Sequence, residues 1–274
     1  AEETFTITPE CSDIYISTKT KICYLNTSLD IFDIYWKLPI LEYHIQSEGI
    51  IKKTIKVNCE NTEQSEQLNQ QIENTIVNNG IIDVYEINKN TNENEGKYKD
   101  IRKITIGISK KDLLNNRKKK KSAFYNCFVL SLRIFVNDSF KEIHIKIFNT
   151  GKIEIPGIQN DNQLYIIIDN LVKILNIYID NTLLCNYKNT EDVLINSNFH
   201  CGFYINREVL YSILRNKYNI NAIYDPCSYP GIRCIYYYNN DETTIKISYM
   251  IFRTGSILIV GKCNENVLNI VYNF

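Results

Sequence analysis

The chain has 274 residues, 44% of them hydrophobic, with 31 basic and 31 acidic side chains. That length holds one large domain or two modest ones around a buried core, and the composition excludes a disordered chain. No apolar run reaches the roughly 18 residues of a membrane span.

In chain order, Ile14–Leu25 reads as a strand, and Ser28 is expected to cap a helix carrying Ile31, Phe32, Tyr35 and Trp36 until Pro39 stops it. Residues 45–121 follow as a block of their own. It is predicted to hold a strand at Ile50–Val57 and an amphipathic helix over Thr62–Asn78 with Leu68, Ile72 and Ile76 inward. A hairpin pairing Ile81–Ile87 with Ile101–Ile108 is expected next, around the polar loop Asn88–Gly96. Charge is segregated here: residues 60–100 carry nine acidic and three basic side chains, and residues 101–121 carry nine basic and one acidic. The run Arg117–Lys121 reads as a solvated loop, an import signal or a phosphate contact. Because a local patch is what binds phosphate, formal neutrality does not decide against nucleic acid.

Strands are then predicted at Tyr125–Val136, Glu142–Phe148 and Lys152–Gly157, with a turn at Asn137-Asp138-Ser139. A helix over Asp161–Ile179 turns Leu164, Ile167, Ile168, Leu171, Val172 and Leu175 inward. The order then recurs. Asp192–Ile205 is strand-like, and Asn206 caps a helix with Val209, Leu210, Ile213, Leu214 and Tyr218 on one face. A turn from Asp225-Pro226 to Pro230-Gly231 leads to strands ending at Tyr238, Phe252 and Gly261, and a helix begins at Asn264.

The recurrence is also literal. Ile147-Phe148-Asn149-Thr150-Gly151-Lys152-Ile153-Glu154-Ile155-Pro156-Gly157 returns 104 positions later as Ile251-Phe252-Arg253-Thr254-Gly255-Ser256-Ile257-Leu258-Ile259-Val260-Gly261, with seven of eleven positions identical. A phrase repeated in the same structural context marks one supersecondary unit used twice. Residues 1–180 are expected to form the first repeat, enlarged by the 45–121 block, and residues 181–274 the second.

Chemistry-bearing motifs are few. The nine cysteines include no Cys-x-x-Cys, and they read as reduced thiols in a cytosolic or nuclear-type compartment, with no secretion signal. No metal or cofactor is expected. Three histidines, no Gly-rich phosphate loop and no nucleophile elbow argue against an enzyme. His200 and Cys201 are adjacent on a strand and so point to opposite faces.

The segments Tyr224-Asp225-Pro226-Cys227-Ser228-Tyr229-Pro230-Gly231-Ile232 and Met250-Ile251-Phe252-Arg253-Thr254-Gly255 resemble two motifs of the TATA-box-binding protein family. The order of elements extends the resemblance, and the enlarged first repeat and A+T-rich coding composition are closest to the divergent versions encoded by large DNA viruses. The resemblance implies an α+β saddle of two pseudo-symmetric repeats, a curved antiparallel sheet with helices on its convex face. It implies binding and bending of A+T-rich double-stranded DNA in the minor groove, with aromatic wedges between base steps. Phe252 and Tyr229 would form one wedge pair; Phe148 and one of Phe124, Tyr125 or Phe128 would form the other.

Strand alternation places Met250, Thr254, Ser256, Leu258 and Val260 on the same groove-facing side in the second repeat, with Asn196 nearby, and Lys146, Thr150 and Lys152 in the first. Glu154 falls on that face too, against the charge of DNA. The family's base-reading asparagines align with Asp13 and Leu194. Asp225 and Pro226 match the family's contact with a TFIIB-like factor, and RNA polymerase is the implied further partner. The implied location is the host cytoplasm (a viral factory) or the nucleus. The alternative is a scaffold for transcription-machinery proteins that kept the fold and lost sequence-specific DNA binding.

Overall fold

Isoleucine-rich segments alternating in polarity, separated by turn residues, form antiparallel strands in the computed structural model, which describes residues 9–77, 82–90, 98–114, 124–179, 182–240 and 243–274. Most of the loop Asn88–Gly96 and the whole run Arg117–Lys121 lie outside those residues. The chain divides into a larger unit, residues 22–156 and 160–190, and a smaller one, residues 1–21, 157–159 and 191–274. Both are α+β.

β1 (Tyr15–Tyr24) contributes residues to both units. The larger unit continues with α1 (Ile31–Lys37), β2 (Gly49–Cys59), α2 (Thr62–Val77), β3 (Ile82–Asn90), β4 (Lys99–Gly107) and the short α3 (Lys110–Leu114). β5 (Cys127–Val136), β6 (Ser139–Phe148), β7 (Lys152–Ile158) and α4 (Asp161–Tyr178) complete it. Its strand order is β3-β4-β2-β5-β6-β7. β5 and β6 are joined by Asn137 and Asp138 at φ +52° and +56°, a two-residue turn of the twist that suits a hairpin and that Asn and Asp tolerate.

Helix α1 begins later than its sequence suggests. Asp30, not Ser28, is its cap, accepting from the Phe32 and Asp33 amides. The cause is a tertiary bond: the Leu29 amide donates to the Asn149 carbonyl at 2.8 Å, so the chain is committed to the β6–β7 hairpin through residue 29. Tyr35 of α1 is fully buried, edge-on to Phe128, and its hydroxyl donates to the Ile104 carbonyl at 3.1 Å. Lys53 is buried beside it. Its ammonium donates to the Tyr35 and Leu38 carbonyls at the end of α1, where the helix dipole is negative. Burial lowers its pKa to about 8.

β2 stands against β5, so the material added to this unit is α2, β3, β4 and α3. Leu68 anchors α2 in the core, whereas Ile76 is exposed. Polar bonds supply the rest of the attachment. Ser65 donates to the fully buried Asp100 at 2.9 Å, and Arg102 bonds both Asp100 and Asn69. The Arg102 guanidinium holds the Asp100 carboxyl below its usual range.

The smaller unit comprises β8 (Glu191–His200), α5 (Arg207–Asn216), β9 (Asn221–Ile223), β10 (Ile232–Asn239), β11 (Thr244–Ile251), β12 (Ser256–Gly261) and α6 (Glu265–Asn273). Its strand order is β1-β8-β12-β11-β10-β9. Asn206 and Asn264 cap α5 and α6 through their side chains. Ile195, Ile247, Tyr249, Ile251, Ile259, Val267 and Leu268 form the core. Of the α5 residues expected to face it, Leu210 and Leu214 do, while Val209, Ile213 and Tyr218 are exposed. The helix lies over the short β9, too narrow a surface to cover a full apolar stripe.

The repeated phrase is built the same way twice. Gly151 and Gly255 sit at φ +81° and +88°, each closing a turn by donating its amide to the Phe148 or Phe252 carbonyl at 3.0 Å. Their carbonyls accept from the Leu25 and Cys201 amides at 2.8 and 2.9 Å, and Leu29 and Ile205 donate to Asn149 and Arg253. A Cβ on Gly151 would lie 2.3 Å from the Thr27 carbonyl oxygen; on Gly255, 2.2 Å from that of Phe203. Either glycine changed to alanine is therefore expected to cost at least about 2 kcal/mol in urea unfolding, from backbone strain plus displacement of the connector.

A second expectation concerns the ion pair beneath α2. Its contribution is fully present above the unfolded carboxylate pKa of about 3.9 and is lost as pH falls through the depressed folded value. Arg102→Met should cost about 3–5 kcal/mol at pH 7 by stranding Asp100. The variant should then gain stability on acidification where the wild type loses it.

Candidate nucleic-acid interface

In each unit the packed helices other than α3 leave one sheet face open. In the smaller unit Ile247, Tyr249, Ile251 and Ile259 are buried, while Ser248, Met250, Leu258 and Val260 alternate with them and are half-exposed. Register sets these side chains in rows. Ile235, Ser248, Val260 and Asn196 lie directly opposite one another on β10, β11, β12 and β8; Arg233, Met250, Leu258 and Asn198 form the next row. Ser256 pairs with His200 one step further. Apart from Arg233, these two rows are uncharged: apolar groups, a hydroxyl and two amides.

Alignment by sequence puts Leu194 where the family's asparagine stands, and the structure moves the amides onto the open face by register. Asn196 sits opposite Val260, its Nδ2 donating to Thr18 Oγ1 at 3.2 Å. Asn198, like Asn196 close in sequence to that position, sits opposite Leu258.

At the end of this face stand Tyr229 and Phe252, ring centroids 5.9 Å apart at 58°. Neither is a core residue; both are half-exposed. Tyr229 reaches Met250 Sδ with its hydroxyl at 3.5 Å, and the Arg233 guanidinium lies 5.0 Å from its ring. Gly231 lies beneath both: a Cβ there would meet Phe252 Cε1 at 3.1 Å and Tyr229 Cε1 at 3.2 Å. A depression of about 460 Å³ beside Phe252 is lined by Arg207, Pro230, Thr254, Ser256 and Leu258 among others.

The larger unit carries the equivalent pair. Ile147 pairs with Phe128 as Ile251 pairs with Ile232. Counting back three residues from each, Tyr125 corresponds to Tyr229. Phe128 is a correction: it is 0% exposed and belongs to the core. Phe124 is exposed one residue away, whereas Tyr125, 49% exposed, stands in register. Each aromatic has a cation on its face, Lys56 4.0 Å from the Tyr125 ring and Lys152 4.8 Å from the Phe148 ring. Lys152 is expected on this face; Lys56 escaped sequence reading because strand pairing, not a motif, brings it in.

Glu154 does lie on this open face, opposite Lys146 on β6, and the two form an ion pair at 2.5 Å. The carboxylate is thus neutralised, and so is the lysine. Thr150 and Thr254 are exposed in the hairpin turns. At the other end of the face α3 is attached, Asp112 to Lys52 Nζ at 2.6 Å and the Lys110 amide to Glu142. Helix α3 therefore lies on the opposite face from α1 and α2.

Asp225 and Pro226 are exposed in the β9–β10 connection. The Asp225 carboxylate accepts the Cys227 amide at 3.1 Å, and Ser228 and that amide hold its pKa below the usual range. No helix among the described residues is long and apolar enough to cross a membrane.

No family model matches the chain. A mimivirus protein from Acanthamoeba polyphaga mimivirus, a TATA-box-binding protein-like protein, is 29% identical over an alignment of 180 residues, covering 57% of this chain and 48% of its own. The resemblance is to the TATA-box-binding proteins. The chain spans about half the length of that curated relative. Among solved structures, Methanococcus jannaschii TBP aligns over 96% of this chain and 95% of its own with a TM-score of 0.44 and 13% identity.

Gly231→Ala is expected to displace the Tyr229 and Phe252 rings by a few tenths of an ångström at a cost of about 1 kcal/mol. Ring proton shifts of Tyr229 and Phe252 check this; unchanged shifts would mean that the rings do not rest on Gly231.

Proposed function

We propose that the chain is a TATA-binding-like transcription factor that binds and bends A+T-rich duplex DNA in the minor groove. The observation that carries this reading is the pair of rows on the open face of the smaller unit, uncharged apart from Arg233, that end in the Tyr229–Phe252 pair. The minor groove of A·T pairs offers only acceptors on a smooth floor, which suits apolar side chains and amide donors and demands no charged partner. Wedging aromatic rings between base steps costs a few kcal/mol of unstacking, offset by the extra surface that a bent duplex covers. Phe252 and Tyr229 would supply one wedge, Phe148 and Tyr125 the other. Tyr229 and Phe252 rest on Gly231, and cations lie on the rings of Tyr229, Tyr125 and Phe148.

Met250, Thr254, Ser256, Leu258, Val260 and Asn196 would line the groove in the smaller unit, and Thr150 and Lys152 would contact it in the larger. Lys146 contributes less, being paired with Glu154. That pair, together with the exposed Pro156 at the family's threonine position, favours the second reading for the larger unit: a scaffold with weak DNA contact of its own. Exposed Asp225 and Pro226 would engage a TFIIB-like factor, through which RNA polymerase is recruited. The setting consistent with this function is a viral factory in the host cytoplasm or the nucleus.

The test is fluorescence anisotropy and bending on A+T-rich and G+C-rich duplexes at several salt concentrations. A+T-rich duplex should bind more tightly, and Phe148→Ala plus Phe252→Ala should weaken binding at least about 100-fold while abolishing the bend, since without the wedges the extra surface that the bent duplex covers is lost. No binding at 50 mM salt, or binding unchanged in the double variant, would leave the scaffold reading in its place.

A further inference from the structure

The depression beside Phe252 in the smaller unit is divided by chemistry. Phe252 and Pro230 give it apolar walls, while Arg207, Arg253, Thr254 and Ser256 bring two guanidinium groups and two hydroxyls. Two elements supply the arginines. Arg207 opens α5 directly after its cap Asn206, and Arg253 stands in the turn of the repeated hairpin, between Phe252 and Thr254. A main-chain bond ties these elements together, the Ile205 amide donating to the Arg253 carbonyl at 2.9 Å. Both side chains therefore reach the same hollow from different parts of the chain.

Hydrogen-bond donors are in surplus there. The half-buried Arg207 guanidinium donates to the Pro230 carbonyl and lies 5.4 Å from the centre of the Tyr224 ring, which fixes its place. Arg253 is exposed, and among the described residues its guanidinium bonds to nothing. The same holds for the hydroxyls of Thr254 and Ser256, and neither arginine has a carboxylate partner among the described residues. A guanidinium carries five N–H donors in a planar fork and no acceptor, so the hollow lacks an anion with several acceptor oxygens. The larger unit has no counterpart. Leu29 donates to Asn149 as Ile205 does to Arg253, so Arg253 corresponds to Asn149 and Arg207 to Ile31.

The geometry points to a phosphodiester site: Arg207 and Arg253 hold a backbone phosphate of duplex DNA flanking the step wedged by Phe252, with Thr254 and Ser256 donating to its oxygens. This rests on the reading that the open face binds duplex DNA. The minor groove is only about 6 Å wide and is walled by both sugar–phosphate backbones. Side chains next to an inserted ring therefore meet a wall, and the apolar sides of the hollow suit the sugar. Guanidinium forks grip two phosphate oxygens at once, which an ammonium does not. Such a contact carries no base information but fixes the register of the protein on the duplex. It also adds charge beside rows that are uncharged apart from Arg233.

The test uses the full chain, an A+T-rich duplex, and copies of that duplex with one uncharged methylphosphonate linkage placed at each position in turn. Anisotropy is measured at several salt concentrations for the wild type, Arg253→Ala, Arg253→Lys, Arg207→Ala and Phe252→Ala. Arg253→Ala should weaken binding of the unmodified duplex about tenfold and lower the slope of log K against log salt by about 1, the loss of one phosphate contact. Arg253→Lys should restore the slope and only part of the affinity, because the charge returns without the fork. One particular linkage, when neutralised, should weaken the wild type about tenfold but Arg253→Ala and Arg207→Ala less than about twofold. Since Arg253 bonds to nothing through its side chain, its variants should keep the unfolding midpoint of the wild type. Coupling to no single linkage, or affinity and slope unchanged in Arg253→Ala while Phe252→Ala still weakens binding, would overturn the phosphate site and leave the wedge reading standing. A phosphoserine peptide that binds the wild type and not Arg253→Ala, with DNA binding unchanged, would overturn it in favour of a phosphorylated protein partner. No binding of any duplex at any salt would overturn both readings together.

Discussion

Each β-hairpin of the repeated phrase is held by a main-chain contact that only glycine permits. Gly151 and Gly255 adopt the left-handed conformation and press against the carbonyls of Thr27 and Phe203, in the connectors between β1 and α1 and between β8 and α5. The surrounding amides and carbonyls pair across the same junction, Leu25 with Gly151 and Cys201 with Gly255. These bonds satisfy backbone groups that a loop would otherwise leave to water, and they tie the hairpin to residues far away in sequence. Everything at the hairpin end depends on that anchor: the position of Phe148 and Phe252, the turn that starts each return strand, and the point where α1 begins.

From that anchor the open face follows by alternation. Once Ile251 and Ile259 are committed to the core, Met250, Leu258 and Val260 have no choice of side. The two units then diverge in chemistry. The smaller presents two rows uncharged apart from Arg233; the larger presents lysines, of which Lys146 is paired with Glu154 and Lys52 with Asp112. The open faces are thus alike in backbone and unlike in charge. The hairpin-end aromatics therefore recur in equivalent positions while the rows of the open face do not.

The added strands of the larger unit are secured by polar contacts that apolar periodicity does not reveal. Asp100, Arg102, Ser65 and Asn69 join α2 to β4, and Lys53 closes the end of α1. In the sequence these residues look like solvated charges on a hairpin and a helix. Burial turned them into structural bonds, because a paired charge is tolerated in the interior whereas an unpaired one is not.

Much was legible in the residues alone. Periodicity and turn signals located the strands and the main helices to within a few positions, since a side chain's side in a strand is set by the parity of its position. The identity of seven positions in eleven exposed the repeated hairpin, and the capping asparagines 206 and 264 marked their helices. What the sequence left open was anything that depends on which strand lies beside which. Pairing across β5 and β6 singled out Tyr125 and sent Phe128 to the core; pairing across β12 and β8 put Asn196 and Asn198 on the open face. Pairing across β6 and β7 neutralised Glu154. Local chemistry is encoded residue by residue, but register is a property of two segments distant along the chain, and only folding brings them together.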